Sequence, residues 1–389
     1  NALNNFFNSG GTLPPGFVTV YGLTGSALGN ALTQLSGEHA TGIQQASNLS
    51  TGMFLNAMLD PFVTGRTGGF GSAMGYGPEP TPSRVQVAAQ DAFAASMPVK
   101  ASPLVPSLEQ RWSVWGAAYG GRNRTDGDAV VGSNDLKATV GGFAAGADYR
   151  VSATSVIGAA VAIGETRWNV SGLGKGNADV AQIGGYASSR WDALYVSGAV
   201  ALAWHRAATD RTVTIAGTDR LEADFNATSF GGRIEGGYRF GGMALGVTPY
   251  AAVQVQGIHT PSYGEVATSG SNQFALRYTA QSTNDIRTEL GAWLDTRHAF
   301  ANGSQLVLRG RAAWVHDYNP GSRVNAAFQT LPGASFTVDG AAAPRDAALT
   351  SAVAELRMAN GVTLIGKFDG EFASGAHTIA GTGTVKYAW

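Results

Sequence analysis

The feature that most constrains the fold is a change of hydrophobic period at Arg111. From Arg111 to Trp389, apolar and polar side chains alternate with a period of two, which is typical of β-strands. Most of these segments are long enough to cross a bilayer as tilted strands, which takes about 9–11 residues. The pattern divides into twelve candidate strands, at residues 111–120, 136–150, 154–168, 178–189, 193–208, 223–240, 244–257, 273–298, 304–318, 347–358, 362–372 and 377–389.

The connections between these strands indicate how the strands are arranged. All odd-numbered connections except the last are long, and all even-numbered ones are short. A soluble sandwich gives no reason for such alternation, whereas an outer-membrane barrel has long extracellular loops and tight periplasmic turns. The sequence therefore predicts an all-β membrane protein, with a 12-stranded antiparallel transmembrane β-barrel at residues 111–389.

The composition agrees with a barrel and excludes several other classes. Charged residues make up 14% of the chain, and 54 of its 389 residues are glycine. No stretch approaches the ~20 consecutive apolar residues of a membrane-spanning helix, so a helical membrane protein is excluded. The formal net charge of −1, without a basic stripe, gives no field for nucleic acid. The absence of cysteine excludes a disulfide scaffold, a zinc ribbon and thiol catalysis.

Charged residues in the candidate strands fall on the face opposite to the large apolar residues. Arg309 and Arg311, for example, alternate with Leu306 and Leu308. An Arg or Lys facing lipid at the bilayer midplane costs about 2–4 kcal/mol, so we expect the charged face to line the lumen. Both signs occur, which favours a network of ion pairs among the predicted lumen-lining residues Arg233, Glu235, Arg287, Glu289, Arg309, Arg311, Glu355, Arg357, Lys367, Asp369 and Glu371.

Aromatic residues cluster near both ends of the predicted strands, as in the two interfacial girdles of membrane barrels. The short-turn end carries Tyr149, Trp191, Tyr238, Phe240, Tyr387 and Trp389. The long-loop end carries Trp168, Trp204, Trp314, Tyr318 and Phe372. Because a closed barrel has no edge for a missing N–H, we expect Pro249 at a bulge or a strand end.

The first 110 residues divide into two regions of different composition. Residues 1–64 show apolar residues at helical spacings of three and four, with Asp60–Pro61 as a stop. Residues 65–110 hold six of the 14 prolines and a glycine cluster. We interpret them as a linker, with a short helix at residues 84–96.

Three segments resemble the autotransporters (type V secretion), specifically their C-terminal translocator domain. Residues 32–39, Leu-Thr-Gln-Leu-Ser-Gly-Glu-His, are close to the Leu-Ser-Gly-Glu helix that precedes many such barrels. Residues 112–121, Trp-Ser-Val-Trp-Gly-Ala-Ala-Tyr-Gly-Gly, are similar to the family's first strand. The last strand resembles the signal read by the barrel-assembly machinery, since one face carries Ile379, Val385, Tyr387 and the terminal Trp389.

The resemblance implies a barrel in the bacterial outer membrane, in contact with its lipid, with an N-terminal helix in the lumen. It implies that the chain secretes and anchors a passenger that would lie upstream of Asn1, and that it is neither an enzyme nor a cofactor-binding protein. Family members usually join the helix to the first strand by a short link, so two assignments stay open. In the first, residues 26–59 form the lumenal helix, which contains Leu28, Leu32, Leu35, Glu38 and Ile43, and a long periplasmic linker follows it. In the second, residues 84–96 form the lumenal helix, and the earlier segment is the C-terminal end of the passenger.

Other functions remain alternatives at this point. A porin-like diffusion channel would use the connection at residues 319–346 as its constriction loop. An outer-membrane hydrolase would use His316 and Asp317, with His205 and His259 near the same rim, but neighbours in a strand point to opposite faces. The sequence also lacks a Gly-x-Ser-x-Gly motif. Cleavage of the passenger at Asn4–Asn5 would need lumenal carboxylates.

Overall fold

The protein is described here from a computed structural model, which covers residues 2–59, 111–242 and 245–389. The first strand, Trp112–Thr125, pairs with the last, Ala376–Ala388, with Ser113 opposite Ala388, and this pairing closes the sheet into a barrel. The expected 12-stranded antiparallel barrel is confirmed. Its strands are β1 (Trp112–Thr125), β2 (Leu136–Arg150), β3 (Ser155–Val170), β4 (Gly174–Trp191), β5 (Leu194–Val213), β6 (Asp219–Tyr238), β7 (Leu245–Thr260), β8 (Gln281–Ala299), β9 (Gln305–Asp317), β10 (Asp346–Arg357), β11 (Val362–Ala373) and β12 (Ala376–Ala388).

Two connections that the sequence analysis took as long are tight turns. The β3–β4 and β5–β6 ladders continue outward and leave only residues 171–173 and 214–218 between the strands. Gly172 and Gly217 lie in these turns with φ values of +76° and +97°, a conformation that glycine adopts without steric cost. The prediction of long loops here was wrong because polar residues are as common in a solvent-exposed strand end as in a loop.

The long connections define the orientation of the barrel. The three longest, at residues 126–135, 261–280 and 318–345, lie at one end, and the start of β1 and the end of β12 lie at the other. Outer-membrane barrels place their long loops outside the cell and their short turns in the periplasm. We therefore assign the end with the long connections as extracellular.

A small sheet, here named the cap, is built from the second and third of these connections. Its four strands are Tyr263–Gly264, Leu276–Tyr278, Arg323–Phe328 and Ser335–Asp339, paired antiparallel in that order. The cap encloses an apolar core that includes Phe274, Leu276, Tyr278, Phe328 and Leu331. A further strand, Val266–Ser269, pairs with the extracellular part of β6.

The outer surface of the barrel is an apolar band between two aromatic zones. The band exposes side chains such as Phe143, Ile163, Val200, Leu202, Ile234, Val253 and Leu294. The periplasmic zone exposes Trp191, Tyr238, Phe240, Tyr387 and Trp389, and the extracellular zone exposes Trp204, Trp314, Tyr318 and Phe372. The prediction for Trp168 was wrong. It faces inward, where its Nε1 donates to the His39 carbonyl at 2.8 Å.

Pro249 lies at a break in the sheet. The β6–β7 ladder stops at the Gly237–Tyr250 pair and resumes with Phe240 opposite Val247. The β7–β8 ladder, in contrast, runs through Pro249, which lies opposite Ala292. The missing N–H of proline is thus accommodated near a periplasmic strand end.

Residues 2–59 form four helices and one 3-10 turn: α1 (Ala2–Asn8), α2 (Pro15–Tyr21), α3 (Gly25–Leu35), the 3-10 turn Glu38–Thr41 and α4 (Gly42–Met58). Helix α4 lies inside the barrel, whereas Phe17 and Val20 of α2 and Leu35 of α3 pack into the apolar core of the cap. Among the described residues, no helix has both the length and the apolar character needed to cross a membrane.

The single lumenal helix predicted at residues 26–59 is thus two helices. Gly37 separates them in the left-handed conformation, with φ +71°. Leu28, Leu32 and Leu35 belong to the outer helix α3 and do not enter the lumen, and Leu32 is 49% exposed. That prediction was wrong because one apolar spacing runs through both helices, although they pack on different partners. The linker expected at residues 65–110, with its short helix at 84–96, lies outside the described residues.

Candidate functional site in the barrel lumen

Helix α4 packs against one half of the barrel wall. Met53, Phe54, Leu55 and Met58 contact inward-facing residues of β1–β6, among which small side chains dominate: Ala117, Ala144, Ala160, Ala162, Ala199 and Ala201. We name these residues, with Gly184 and Gly231, the small-residue wall. Phe54 and Leu55 are fully buried, and burial of one such side chain contributes about 1.5–3 kcal/mol.

Glycines bring the helix and the wall close together. A Cβ at Gly184 would lie 2.7 Å from Met58 Cε, and one at Gly231 would lie 2.5 Å from Thr51 Cγ2. At the start of α4, a Cβ at Gly42 would overlap the Trp168 ring. Larger residues at these positions have no room while α4 is in place.

The opposite side of α4 is polar and faces a cavity of about 190 Å³. The helix contributes Gln44, Gln45, Asn48 and Asn56 to its lining. The barrel contributes charged residues of β8, β9 and β11, here named the charged wall: Arg287, Glu289, Arg311, Asp317, Asp369 and Glu371. The lumen therefore has two different halves, one fitted to an apolar helix face and one lined by acidic and basic side chains.

A buried ion-pair network joins β6 to β8. The Arg233 guanidinium donates to both oxygens of Glu289, at 2.6 and 2.9 Å, and to Glu235 Oε2 at 2.6 Å. Tyr195 Oη donates to the other oxygen of Glu235 at 2.8 Å, and Tyr250 Oη donates to Glu289 at 3.3 Å. Buried charges are stable only when they are paired and hydrogen-bonded, and this network meets both conditions.

The remaining charges on β8–β11 form further pairs. Arg311 lies 3.0 Å from Asp369, which also lies 3.1 Å from Lys367. Arg287 lies 2.5 Å from Glu371 and 3.3 Å from Asp317. Glu355 contacts Arg309 at 2.7 Å and Arg357 at 2.6 Å. All eleven residues that the sequence analysis assigned to the lumen take part in these ion pairs, and the wall carries both signs of charge.

A second buried network lies on the other side of the barrel, and sequence reasoning missed it. Lys386 Nζ lies 2.8 Å from Asp148 Oδ2, which also accepts from Ser113 Oγ at 2.9 Å. Tyr186 donates to Asp148 and accepts from Trp115 Nε1 at 2.8 Å. The only sequence signal was one charged residue at an inward position of β2 and one at an inward position of β12. These two residues are far apart in the chain, so the sequence did not indicate that they pair.

The structure places the other predicted site residues as follows. Ile43 is buried in the extracellular half of the lumen, beside Trp168. Glu38 lies at the mouth, where it contacts the β1–β2 connection. Val385 and Tyr387 of β12 and Trp389 directly after it are exposed on the outer face and Ile379 is half-buried, while Thr384 and Lys386 face inward.

The histidines considered for catalysis are not brought together. His316 lies on the outer face and contacts Asp346 at 2.8 Å, while its neighbour Asp317 points inward. His205 is buried in the lumen, where Nε2 lies 2.8 Å from Ser229 Oγ, and His259 is exposed. At the N-terminus, Asn4 of α1 accepts a hydrogen bond from Tyr21 of α2 at 2.8 Å.

An apolar outer band, two aromatic zones and a helix of the same chain inside a charged lumen define an outer-membrane barrel that is filled by its own N-terminal segment. The family model described as Autotransporter beta-domain matches residues 114–369, and the chain belongs to this family. It is an outer-membrane translocator domain of an autotransporter.

Solved structures agree on the fold. The translocator domain of autotransporter NalP from Neisseria meningitidis superposes with a TM-score of 0.56 at 12% identity, covering 78% of this chain and 94% of that one. The beta domain of the Bordetella autotransporter BrkA gives a TM-score of 0.54 at 16% identity, with 72% and 100% coverage. A comparison with curated proteins gave no match.

Proposed function

We propose that this translocator exports the polypeptide that precedes α4 through its lumen and then holds that polypeptide at the cell surface by α4. The direction of α4 supports the proposal. Its first residue, Gly42, packs on Trp168 near the extracellular end, and Met58 packs on Gly184 deeper in the barrel. The chain before α4 is therefore outside the cell. The proposal divides the chain into three parts. Residues 1–64 are the end of the passenger and the helical segment, residues 65–110 are the linker, and residues 111–389 are the translocator.

The two halves of the lumen have different roles in this proposal. The small-residue wall seats α4 and so retains the exported chain. The charged wall keeps the rest of the lumen polar, and its two basic residues, Arg287 and Arg311, are each paired with carboxylates of the wall. A helix is suited to this environment because its backbone groups are satisfied within the segment.

Surface display tests the proposal. An epitope fused ahead of Ala2 is expected on intact cells, where it is accessible to antibody and removed by external protease. Gel mobility of boiled and unboiled samples shows in parallel that the barrel is folded. A folded barrel whose epitope stays on the periplasmic side would contradict export.

We also propose that the barrel-assembly machinery recognises the C-terminal strand. The support is the outward row of Val385 and Tyr387 on β12 and Trp389 directly after it, together with half-buried Ile379. An insertion factor can contact this row before the strand pairs with β1. A comparison of assembly in cells with refolding in detergent tests this recognition.

We propose no catalytic role for this translocator. The separation of His205, His259 and His316 supports this view, because a general base needs its partner groups within hydrogen-bond reach. Substitution of His316 by Ala is expected to leave display unchanged.

A further inference from the structure

Residues 36–41 (Ser-Gly-Glu-His-Ala-Thr) connect α3 outside the barrel to α4 inside it. We propose that this segment, here named the latch, closes the extracellular end of the barrel by binding three extracellular connections at once when export ends. The inference rests on the proposed export of the polypeptide that precedes α4.

The first connection, at residues 126–135, is held by Glu38. Its two carboxylate oxygens accept from the backbone N–H and from the side-chain Nδ2 of Asn134, both at 2.7 Å. Ser36 Oγ accepts from the Glu38 N–H at 3.2 Å and fixes the turn. Glu38 is 2% exposed, and this burial raises its pKa, while the bonds from Asn134 lower it. Glu38 therefore binds both the backbone and the side chain of Asn134 in the first connection.

The second connection, at residues 261–280, is held by Gly37. The glycine carbonyl accepts from Tyr278 Oη at 3.3 Å. A Cβ at this position would overlap the side chains of Leu276 and Tyr278, and φ is +71°. Gly37 is thus needed both for its backbone conformation and for the close approach of the cap.

His39 extends the same contact into a buried polar cluster. Its carbonyl accepts from Trp168 Nε1 at 2.8 Å, and its Nε2 lies 3.9 Å from Glu265 Oε1. Glu265 is held by Arg211 through two contacts of 2.7 Å, and Arg211 also donates to the Gln34 carbonyl at 2.8 Å. The cluster joins α3, the latch, β3, β5 and the cap connection.

The third connection, at residues 318–345, packs on Thr41. A Cβ at Gly340 would overlap the Thr41 side chain, whose Oγ1 donates to the Glu38 carbonyl at 2.8 Å. One turn further on, Gln44 Nε2 donates to the Arg323 carbonyl at 2.9 Å. All three long connections therefore converge on one short segment, and these contacts form only when that segment has reached the mouth.

A thiol-labelling experiment measures closure directly. Because the chain has no cysteine, Ala275→Cys in the fully buried cap core is the sole reactive thiol. Its labelling by a bulky, membrane-impermeant maleimide is compared in otherwise unchanged full-length chains with Gly37→Ala or Gly25→Ala. Gly25 is the matched control, since its φ is +58° but a Cβ there has no atom within 4 Å.

We expect Gly37→Ala to raise the labelling rate at least tenfold and Gly25→Ala to leave it within twofold. Equal rates in the two variants would overturn the latch. Glu38→Gln gives an independent second variant, because an amide accepts at one oxygen only and cannot satisfy both Asn134 donors. It is also expected to raise the rate at least tenfold, and the same rate as in the parent would overturn the latch.

The display assay separates this inference from the function on which it rests. Absence of the epitope from the surface of cells that make the parent chain would reject export. The labelling rates of the thiol reporter would still decide whether the latch closes the barrel, because they do not depend on display. For Gly37→Ala, surface display is expected at the parent level, because the latch acts after the chain has passed. Loss of display in a folded Gly37→Ala barrel would overturn the assignment of the latch to closure.

Discussion

Arg233 on β6 and Glu289 on β8 form a two-pronged ion pair across the intervening strand β7. The two N–O distances are 2.6 and 2.9 Å, and the side chains are 3% and 5% exposed. Tyr250, on the strand between them, donates to the same carboxylate. Three consecutive strands are thus joined by side chains in the lumen as well as by their backbone ladders.

Removal of this guanidinium is expected to be costly. Arg233→Ala leaves Glu289 and Glu235 buried without their shared cation, and loss of one partner of a buried pair costs about 3–5 kcal/mol of unfolding free energy. Urea unfolding of the detergent-refolded barrel measures the change. Arg167→Ala is the control, because the Arg167–Glu165 pair lies on the exposed outer face, where solvent screens it, and its loss is expected to change the unfolding free energy far less. Equal costs would contradict the role of the network.

The seat of α4 can be tested with two adjacent glycines. Gly184→Val places atoms against Met58 and is expected to destabilise the seated helix by about 1–3 kcal/mol, the usual cost of overpacking. Planar-bilayer conductance should rise because α4 leaves the lumen more often. Gly185→Val, on the opposite face of β4, is expected to leave conductance unchanged. Met58→Ala should rescue Gly184→Val in part, because a Cβ at Gly184 would also lie 2.8 Å from the Val200 backbone carbonyl oxygen. No difference between the two valine variants would refute the seat.

Closure of the mouth should depend on pH through His39. Burial lowers the pKa of His39 to about 4, against 6.5 for the free side chain; Glu265 and Asp210 oppose this shift and Arg211 adds to it. The open mouth therefore binds more protons than the closed one between pH 6.5 and 4, and closure weakens as pH falls through this window, by about 3 kcal/mol at most.

The measurement is the labelling rate of the Ala275→Cys reporter at pH 7, 6 and 5, divided at each pH by the rate for the urea-unfolded chain, because the reactive thiolate fraction falls with pH. This ratio should rise toward pH 5 in the parent and rise less with His39→Gln. The raised pKa of Glu38 acts in the opposite direction, since its protonation favours the closed form, and this contribution is common to both chains. The same pH profile in both would exclude His39 as the cause.

The C-terminal strand should matter for assembly in cells more than for the stability of the barrel. The double substitution Tyr387→Ala and Trp389→Ala is expected to lower the outer-membrane level several-fold, while refolding in detergent is retained. Phe372→Ala is the matched control, because it also removes an exposed aromatic ring from the outer face. Equal loss in both variants would indicate a general effect of interfacial rings.

The barrel could be predicted because its pattern is local. Each strand needs only alternate apolar residues to match lipid on one side and the lumen on the other, and the inward charges of β8–β11 follow the same alternation. The extracellular strand ends could not be predicted in this way. In the segments 169–177 and 209–222 the alternation fades above the apolar band, although the ladders continue up to the turns at residues 171–173 and 214–218.

The break between α3 and α4 depends on tertiary contacts and was missed for that reason. The helical spacing continues through Gly37, and only the fit of this glycine against Leu276 and Tyr278 shows why the chain turns there. The small-residue wall left a readable signal, since β2–β6 repeat Ala and Gly at alternate positions where later strands carry charges. Its meaning required the register between strands, which one sequence does not provide.

The docking of α2 on the cap has a consequence for what remains on the cell after proteolysis. Phe17 makes edge-on contacts with Phe274 and Phe328, at centroid distances of 5.0 and 4.9 Å, inside a core closed to water. A protease that cleaved within residues 36–41 would break the covalent link to α4 but would leave the contacts of Phe17 with the cap in place. Shedding of the outer helices would then be limited by how fast an aromatic cluster comes apart, and not by the cut itself.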